Sequence, residues 1–229
     1  MDDEDPMARK AAWRTRLRRA RRERATRPGA ARERELQARL LGGHAGALLA
    51  GVPGLDGRPS PDGVSRGRAA PRVALFHPLP SEPPVLPLAA HLRARGAELL
   101  FPVHAEGPEL GWVVWDGEDF APSSGRGFGA EPGGTRLGPD ALATAALVLT
   151  PALAVDLAGT RLGHGGGYYD RALAHVREGV PVVTIVHPHE VLPAGALPRM
   201  PHDRPVPRAL TASGLTRLDR GVRAGGAES

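Results

Sequence analysis

From Val73 onward the chain alternates short, almost wholly apolar runs with stretches whose apolar residues recur at helical spacing, and this alternation restricts the fold more than any other feature. Val73-Ala74-Leu75-Phe76, Glu98-Leu99-Leu100-Phe101, Leu110 to Trp115, Ala146 to Thr150 and Val182 to Val186 lack the in–out alternation of a strand wetted on one side. Such strands are covered on both faces, as in a parallel sheet between helical layers. Residues 85–95, with Leu86, Leu88, Ala89 and Leu92, predict a helix capped by Gly96, and Pro102 is expected to close the second strand. The stretch from there to Pro139 beyond Trp115 reads as irregular, 140–146 as a helical turn or two, and 167–178 as a helix entered through glycines. The expected architecture is a three-layer α/β/α, Rossmann-like domain with a mainly parallel sheet and N-terminal helices packed on it.

Those helices precede the alternation. Residues 7–27 read as one helix, with Trp13, Leu17 and Ala20 at i, i+4 and i+7 and Pro28-Gly29 as its stop. Residues 31–50 read as a second, with Leu36, Leu40 and Leu41 as its apolar positions. Residues 51–71, rich in Pro, Gly, Arg and Ser, are expected to be a mobile surface insertion, and 219–229 a disordered tail on a single domain. A length of 229 residues, 41% hydrophobic, suffices for a core without staples. No cysteine is present, which excludes a disulfide scaffold, a thiolate zinc site and a cysteine nucleophile. No apolar run approaches the ~20 residues of a membrane span. The acidic MDDEDP start runs straight into arginines rather than an apolar segment, unlike a secretory signal. A soluble, cytoplasmic, monomeric protein with no membrane contact is expected.

Scarcity points to function. Residues 1–40 carry 13 basic and 7 acidic residues, whereas the remaining 189 carry 17 and 18, so the net charge of +5 belongs to one segment. Among 30 cations only Lys10 is lysine, which singles it out as a position needing a compact ammonium with rotatable donors. The only two tyrosines, Tyr168 and Tyr169, are neighbours in the most glycine-rich loop, Gly159-Thr160-Arg161-Leu162-Gly163-His164-Gly165-Gly166-Gly167-Tyr168-Tyr169-Asp170-Arg171. A strand leads into this loop and a helix follows it, an arrangement in which backbone N–H groups can approach phosphate oxygens and Arg161 can add a planar fork. It does not fit G-x-G-x-x-G or a P-loop. Asp170 offers a carboxylate to Mg2+, and the tyrosines offer stacking faces. The bland alternatives are a tight turn and one tyrosine in the core with the other in solvent.

The block R-L-G-H-G-G-G-Y-Y-D-R, residues 161–171, resembles the signature of the 5-formyltetrahydrofolate cyclo-ligase (methenyltetrahydrofolate synthetase) family. Lys10-Ala11-Ala12-Trp13-Arg14, Ser81-Glu82-Pro83, Glu131-Pro132 and the run from Leu197-Pro198 to Pro201-His202-Asp203 resemble further elements of it, in order. The resemblance implies a NagB/RpiA-like fold and ATP- and Mg2+-dependent conversion of 5-formyltetrahydrofolate to 5,10-methenyltetrahydrofolate, with ADP and phosphate released. It implies that Lys10, Arg14 and Arg161 act on the ATP phosphates, with Leu162, Gly163, His164, Gly165, Gly166, Gly167, Tyr168 and Tyr169 holding the nucleotide. His77, Glu82, His164 and Tyr168 are expected on the folate, and Asp170 and Asp203 on Mg2+. The sequence departs from the family at His164, often Arg, Lys or Tyr, at Gly166, where some relatives carry Lys, and at Val155, where an aromatic is common.

The residues themselves leave alternatives open. Lys10 and Arg14, one helical turn apart, can face one anion or lie on a solvated basic face; the arginines from Arg16 to Arg27 are read as solvated. Asp203 can form an Asx turn or pair with Arg204, Glu82 can be an exposed loop residue, and His187 and His189 are read as surface or turn positions. A folate- or nucleotide-binding regulator without turnover is the alternative function. RNA binding through residues 9–27 is disfavoured because Trp13 is the only aromatic there and its spacing assigns it to packing.

Overall fold

The structure, a computed structural model, describes residues 5–50, 52, 55, 70–123 and 130–218. Helix α1 (Pro6–Thr26) begins at Asp5, whose carboxylate caps the Met7 N–H, and ends at Arg27. Helices α2 (Ala30–Gly43) and α3 (Ala45–Leu49) follow, separated at His44 where one helix over 31–50 was expected. Then come β1 (Arg72–Ala74), α4 (Leu86–Ala94), β2 (Glu98–His104) and β3 (Leu110–Val114). Next are β4 (Phe120–Pro122), β5 (Ala130–Pro132), β6 (Arg136–Leu137), a 3-10 turn (Pro139–Thr144) and β7 (Ala145–Pro151). The chain closes through β8 (Ala154–Asp156), β9 (Arg161–Leu162), α5 (Tyr168–Ala172), β10 (Val182–Ile185), β11 (Val191–Leu192), β12 (Arg208–Thr211) and β13 (Gly214–Arg217).

The main sheet has the order β13-β12-β10-β7-β1-β2-β3-β6. Its five central strands are parallel; β13 on one side and β3 on the other run antiparallel to them, and β6 pairs antiparallel with β3. Successive residues feed opposite cores. Val73, Leu75, Leu99, Phe101, Leu147 and Leu149 pack with Leu41, Leu48, Leu88 and Leu92 of α2, α3 and α4. Ala74, Leu100 and Val148 pack with Leu142, Ala172 and Leu173 on the other face. The three-layer α/β/α arrangement with a mainly parallel sheet is therefore as expected, each central strand being buried on both sides.

Several local readings change. Pro102 does not end β2, because the strand continues to His104 in antiparallel register with β3, Pro102 lying opposite Trp112. The stretch beyond Trp115 holds β4, β5 and β6, tied by the buried Glu131 carboxylate, which accepts from the His104 N–H at 2.7 Å. The helix expected over 167–178 is one α-helical turn followed by a 3-10 turn, Leu173–His175. On α2 only Leu41 is in the core; Leu36 and Leu40 are 48% and 43% exposed. Val52 and Leu55, assigned to the insertion, are buried in the core, while the rest of that segment up to 69, and the tail from 219, lie outside the described residues.

Helix α1 covers a third cluster, in which Leu17 and Trp13 meet Leu153, Ala154, Leu162 and Leu197. One buried leucine and a half-buried tryptophan are a small apolar anchor for 21 residues, so polar contacts carry much of the docking. The buried positions of α1 are Lys10, Leu17 and Arg21, and this corrects the solvated reading of Arg21. Its guanidinium forks onto Glu190, Nε to Oε1 at 2.7 Å and Nη2 to Oε2 at 2.8 Å, and Nη2 also donates to the Ala152 carbonyl at 2.6 Å. His187 is likewise buried rather than superficial, its ring bonded to Gln37 and to the Ser81 carbonyl.

Candidate active site

Chain order explains where a ligand can enter. From β1 the sheet grows one way through β2, and from β7 it grows the other way through β10 and β12, so order reverses between β1 and β7. In open α/β sheets the crevice beyond the carboxyl ends of the strands at such a reversal is the natural binding place. A cavity of about 610 Å3 lies there, walled by Phe76 and His77 after β1, Pro102 of β2 and Pro151 of β7. All fifteen residues singled out in the sequence line this one cavity.

One wall is α1. Lys10 is only 4% exposed and its Nζ donates to Asp203 Oδ2, which also accepts the Met200 N–H at 2.6 Å. Burial works to raise the Asp203 carboxyl, but the hydrogen bonds from Lys10 and Met200 outweigh it and hold it below the ordinary carboxylate range. Arg14 Nε donates to the Gly163 carbonyl at 3.1 Å, and Arg18 Nη2 to the His164 carbonyl at 2.5 Å. The glycine loop is therefore held by its carbonyls against α1, and Arg18 joins the cavity although the sequence reading left it in solvent.

The loop forms the opposite wall. Asp156 is wholly buried and accepts the Ala158, Thr160 and Leu197 N–H groups, which fixes the turn from β8 into β9. Gly165 and Gly167 take φ of +108° and +68°, a region costly for side-chain-bearing residues. At Gly166 a Cβ would lie 2.8 Å from the Tyr168 ring, so a side chain there requires the ring to shift. Arg161 is buried and donates from Nη2 to Asp170 Oδ1 at 2.6 Å, and its Nε has no acceptor among the described residues. Leu162 packs its side chain into the third cluster, so only its backbone can serve a ligand. Both tyrosines pack partly against the core, contrary to a division between core and solvent. The buried Tyr169 hydroxyl has no hydrogen-bond partner among the described residues, and burial, with Glu82 adding to it, pushes its pKa up.

The third wall carries Glu82 and His77. Glu82 is buried, not an exposed loop residue: Oε2 accepts the Leu79 N–H at 2.8 Å and Oε1 lies 2.9 Å from His164 Nε2, spanning the cavity. Arg21 Nη1 stands 3.9 Å behind Oε1. His77 packs on Phe120 with ring centroids 4.7 Å apart, and burial lowers its pKa, so the ring is neutral at pH 7, with Nδ1 unpartnered among the described residues.

For a divalent cation the donor set is sparse. Among the described residues no group of three or more His, Asp or Glu side chains could hold a metal. Asp170 and Asp203 nonetheless line one cavity, and each meets its cation through a single oxygen, Oδ1 and Oδ2 respectively. That suits Mg2+, which keeps several waters and needs only one or two carboxylates when a phosphate ligand completes its shell.

A sheet of this order with a ligand crevice at its reversal is the frame of an α/β enzyme, here walled by α1, the glycine loop and the Glu82 turn. Residues 64–212 match the model of the 5-formyltetrahydrofolate cyclo-ligase family, and the chain belongs to that family. A protein of Mycolicibacterium smegmatis (strain ATCC 700084 / mc(2)155) named 5-formyltetrahydrofolate cyclo-ligase is 35% identical over 143 residues, 61% of this chain and 72% of that protein. The NMR structure of Aquifex aeolicus 5,10-methenyltetrahydrofolate synthetase superposes with a TM-score of 0.61 at 25% identity, covering 96% of both chains. A 5,10-methenyltetrahydrofolate synthetase from Mycoplasma pneumoniae shares the fold, with a TM-score of 0.58 at 17% identity over 86% of this chain and 94% of that one. The family match begins at residue 64, so α1 with Lys10 and Arg14 lies ahead of it.

Proposed function

We propose that the chain cyclises 5-formyltetrahydrofolate to 5,10-methenyltetrahydrofolate at the expense of ATP, in the cavity between α1 and the glycine loop. A formamide carbonyl is a weak electrophile and its oxygen a poor leaving group. Transfer of the γ-phosphoryl group to the formyl oxygen releases ADP and answers both difficulties. N10 then attacks the activated carbon, the C–O bond breaks, phosphate leaves with the formyl oxygen, and N10 gives up its proton to solvent. No side-chain nucleophile is needed, which agrees with a site built of cations, carboxylates and backbone.

The work of the protein is alignment and charge. Lys10, Arg14 and Arg161 face the triphosphate, and the backbone of Gly163–Gly167 receives it. Asp170 and Asp203 would hold Mg2+, which neutralises charge on the β- and γ-phosphates when bound. These carboxylates also pair with Lys10 and Arg161 and so compensate the buried cations. Glu82 accepts hydrogen bonds from the pterin, with Tyr168 and His77 beside it, and His164 releases the carboxylate as the folate enters. The unpartnered Tyr169 hydroxyl, Arg161 Nε and His77 Nδ1 are then satisfied by ligand.

The observation that carries this reading is the convergence of α1, the glycine loop and the Glu82 turn on one 610 Å3 cavity. Substrate labelled with 18O in the formyl group tests it. Label should appear in the released phosphate; label recovered only in water would mean that hydrolysis, not phosphoryl transfer, removes the oxygen.

A further inference from the structure

A second cavity, of about 190 Å3, lies between α1 and α2. The Leu79–Glu82 turn, closed by a bond from the Glu82 N–H to the Leu79 carbonyl, partitions it from the main one. Leu79 and Glu82 line the larger cavity, and Pro80 and Ser81 line the smaller. Its volume is well below the ~300–1,000 Å3 of pockets that hold drug-sized ligands, so neither a nucleotide nor a pterin fits inside it.

Three arginines, Arg21, Arg24 and Arg34, line this space together with Gln37. One of their donors, Arg24 Nε, is buried without an acceptor among the described residues, while Arg21 Nη1 faces Glu82 Oε1 at 3.9 Å. Buried donors are almost always satisfied, so Arg24 Nε marks a missing partner. The local acids are already committed. Glu190 is held by the fork of Arg21, and Glu33, which also lines the cavity, pairs with Arg27. Burial lowers the pKa of His187, and lowers that of His189 to about 4, so both rings are neutral at pH 7 and neither adds to nor offsets the charge. Arg24 and Arg34 have no ion-pair partner among the described residues. Ala25, Ala30, Ala31 and Pro80 make the apolar part of the wall, beside Ser81.

We infer that this cavity is a binding site for a small oxyanion of the phosphate class, separate from the site of cyclisation. Planar guanidinium forks match tetrahedral oxyanions bidentately, and a site of this size takes the free ion. Arg34 Nη1 also donates to the Glu82 carbonyl at 2.6 Å, so an ion drawn to Arg34 acts on the turn that carries Glu82 into the main cavity.

The test titrates inorganic phosphate into the full chain saturated with a non-hydrolysable ATP analogue and Mg2+, at constant ionic strength against chloride, by calorimetry. Phosphate positions in the main cavity are then occupied. One saturable phosphate per chain is expected, with affinity reduced roughly tenfold or more in Arg24→Gln, as loss of a charged hydrogen-bonding group implies. Ala31→Glu, which places a carboxylate in the same space, should abolish binding and serves if Arg24→Gln does not fold. Heat no different from the chloride control, equal affinity in Arg24→Gln, or loss in Lys10→Ala instead would overturn the assignment. The readout is binding, not turnover, so it stands apart from whatever reaction the main cavity performs; a titration without the analogue should show the same dependence on Arg24.

Discussion

Arg21→Ala examines how α1, and with it Lys10 and Arg14, is held on the body. Arg21 and Glu190 have side chains 2% and 1% exposed and share two bonds of 2.7 and 2.8 Å. Removing the cation strands a carboxylate whose one other hydrogen bond among the described residues is from the His187 N–H at 2.9 Å. Breaking a buried pair in this way costs about 3–5 kcal/mol. For a chain of this size each kcal/mol lowers Tm by roughly 2–4 °C, so a fall of roughly 8–16 °C is expected for a 4 kcal/mol loss. The paired replacement Arg21→Met with Glu190→Leu leaves no stranded charge and should recover most of that loss. Urea and thermal unfolding of the wild type, both single variants and the double variant form a complete cycle. A single variant that loses less than about 1 kcal/mol, or a double variant that loses the sum of the singles, would refute the reasoning.

Lys10→Ala should weaken use of ATP by roughly tenfold or more, since a charge-assisted bond is worth ~1.5–3 kcal/mol; wild-type kinetics would remove Lys10 from the site. Gly166→Ala forces the Tyr168 ring away from a Cβ that would stand 2.8 Å from it, and should raise the folate KM several-fold with little change in Tm. An unchanged KM would mean that the ring does not touch the folate. Acid should destabilise the fold through His187 and His189, whose folded-state pKa values lie below the ordinary 6.5, burial being the main cause. The stability they contribute is present above pH 6.5 and is lost as pH falls toward about 4, because the unfolded chain takes up protons that the folded chain refuses. Melting curves at pH 7.5 and 5 should differ less in His189→Gln than in the wild type.

The layers of the fold were legible because strands buried on both faces carry unbroken apolar runs, as at Leu147-Val148-Leu149, whose side chains alternate between two cores. Short edge strands were not. Pairing across β3 keeps Pro102 extended and gives β6 its place, and no local pattern announces either. In the site, the glycine loop and Lys10 stood out by composition. Arg21 was missed because one arginine among many on α1 looks solvated, yet it extends the stripe Lys10, Arg14, Leu17 at helical spacing. Its partner Glu190 lies 169 residues away, and nothing in either local sequence signals the pairing. Asp170 and Asp203, expected on Mg2+ from the resemblance, line the cavity, and their ion pairs with Lys10 and Arg161 depend on the tertiary fold alone.

Turnover in the cavity that α1 closes is the central expectation. Purified chain given 5-formyltetrahydrofolate, ATP and Mg2+ should show steady growth of the methenyltetrahydrofolate absorbance band, absent without ATP and strongly reduced in Lys10→Ala. Saturable binding of both ligands with no growth of that band would contradict it and make the chain a binding protein on an enzyme's fold.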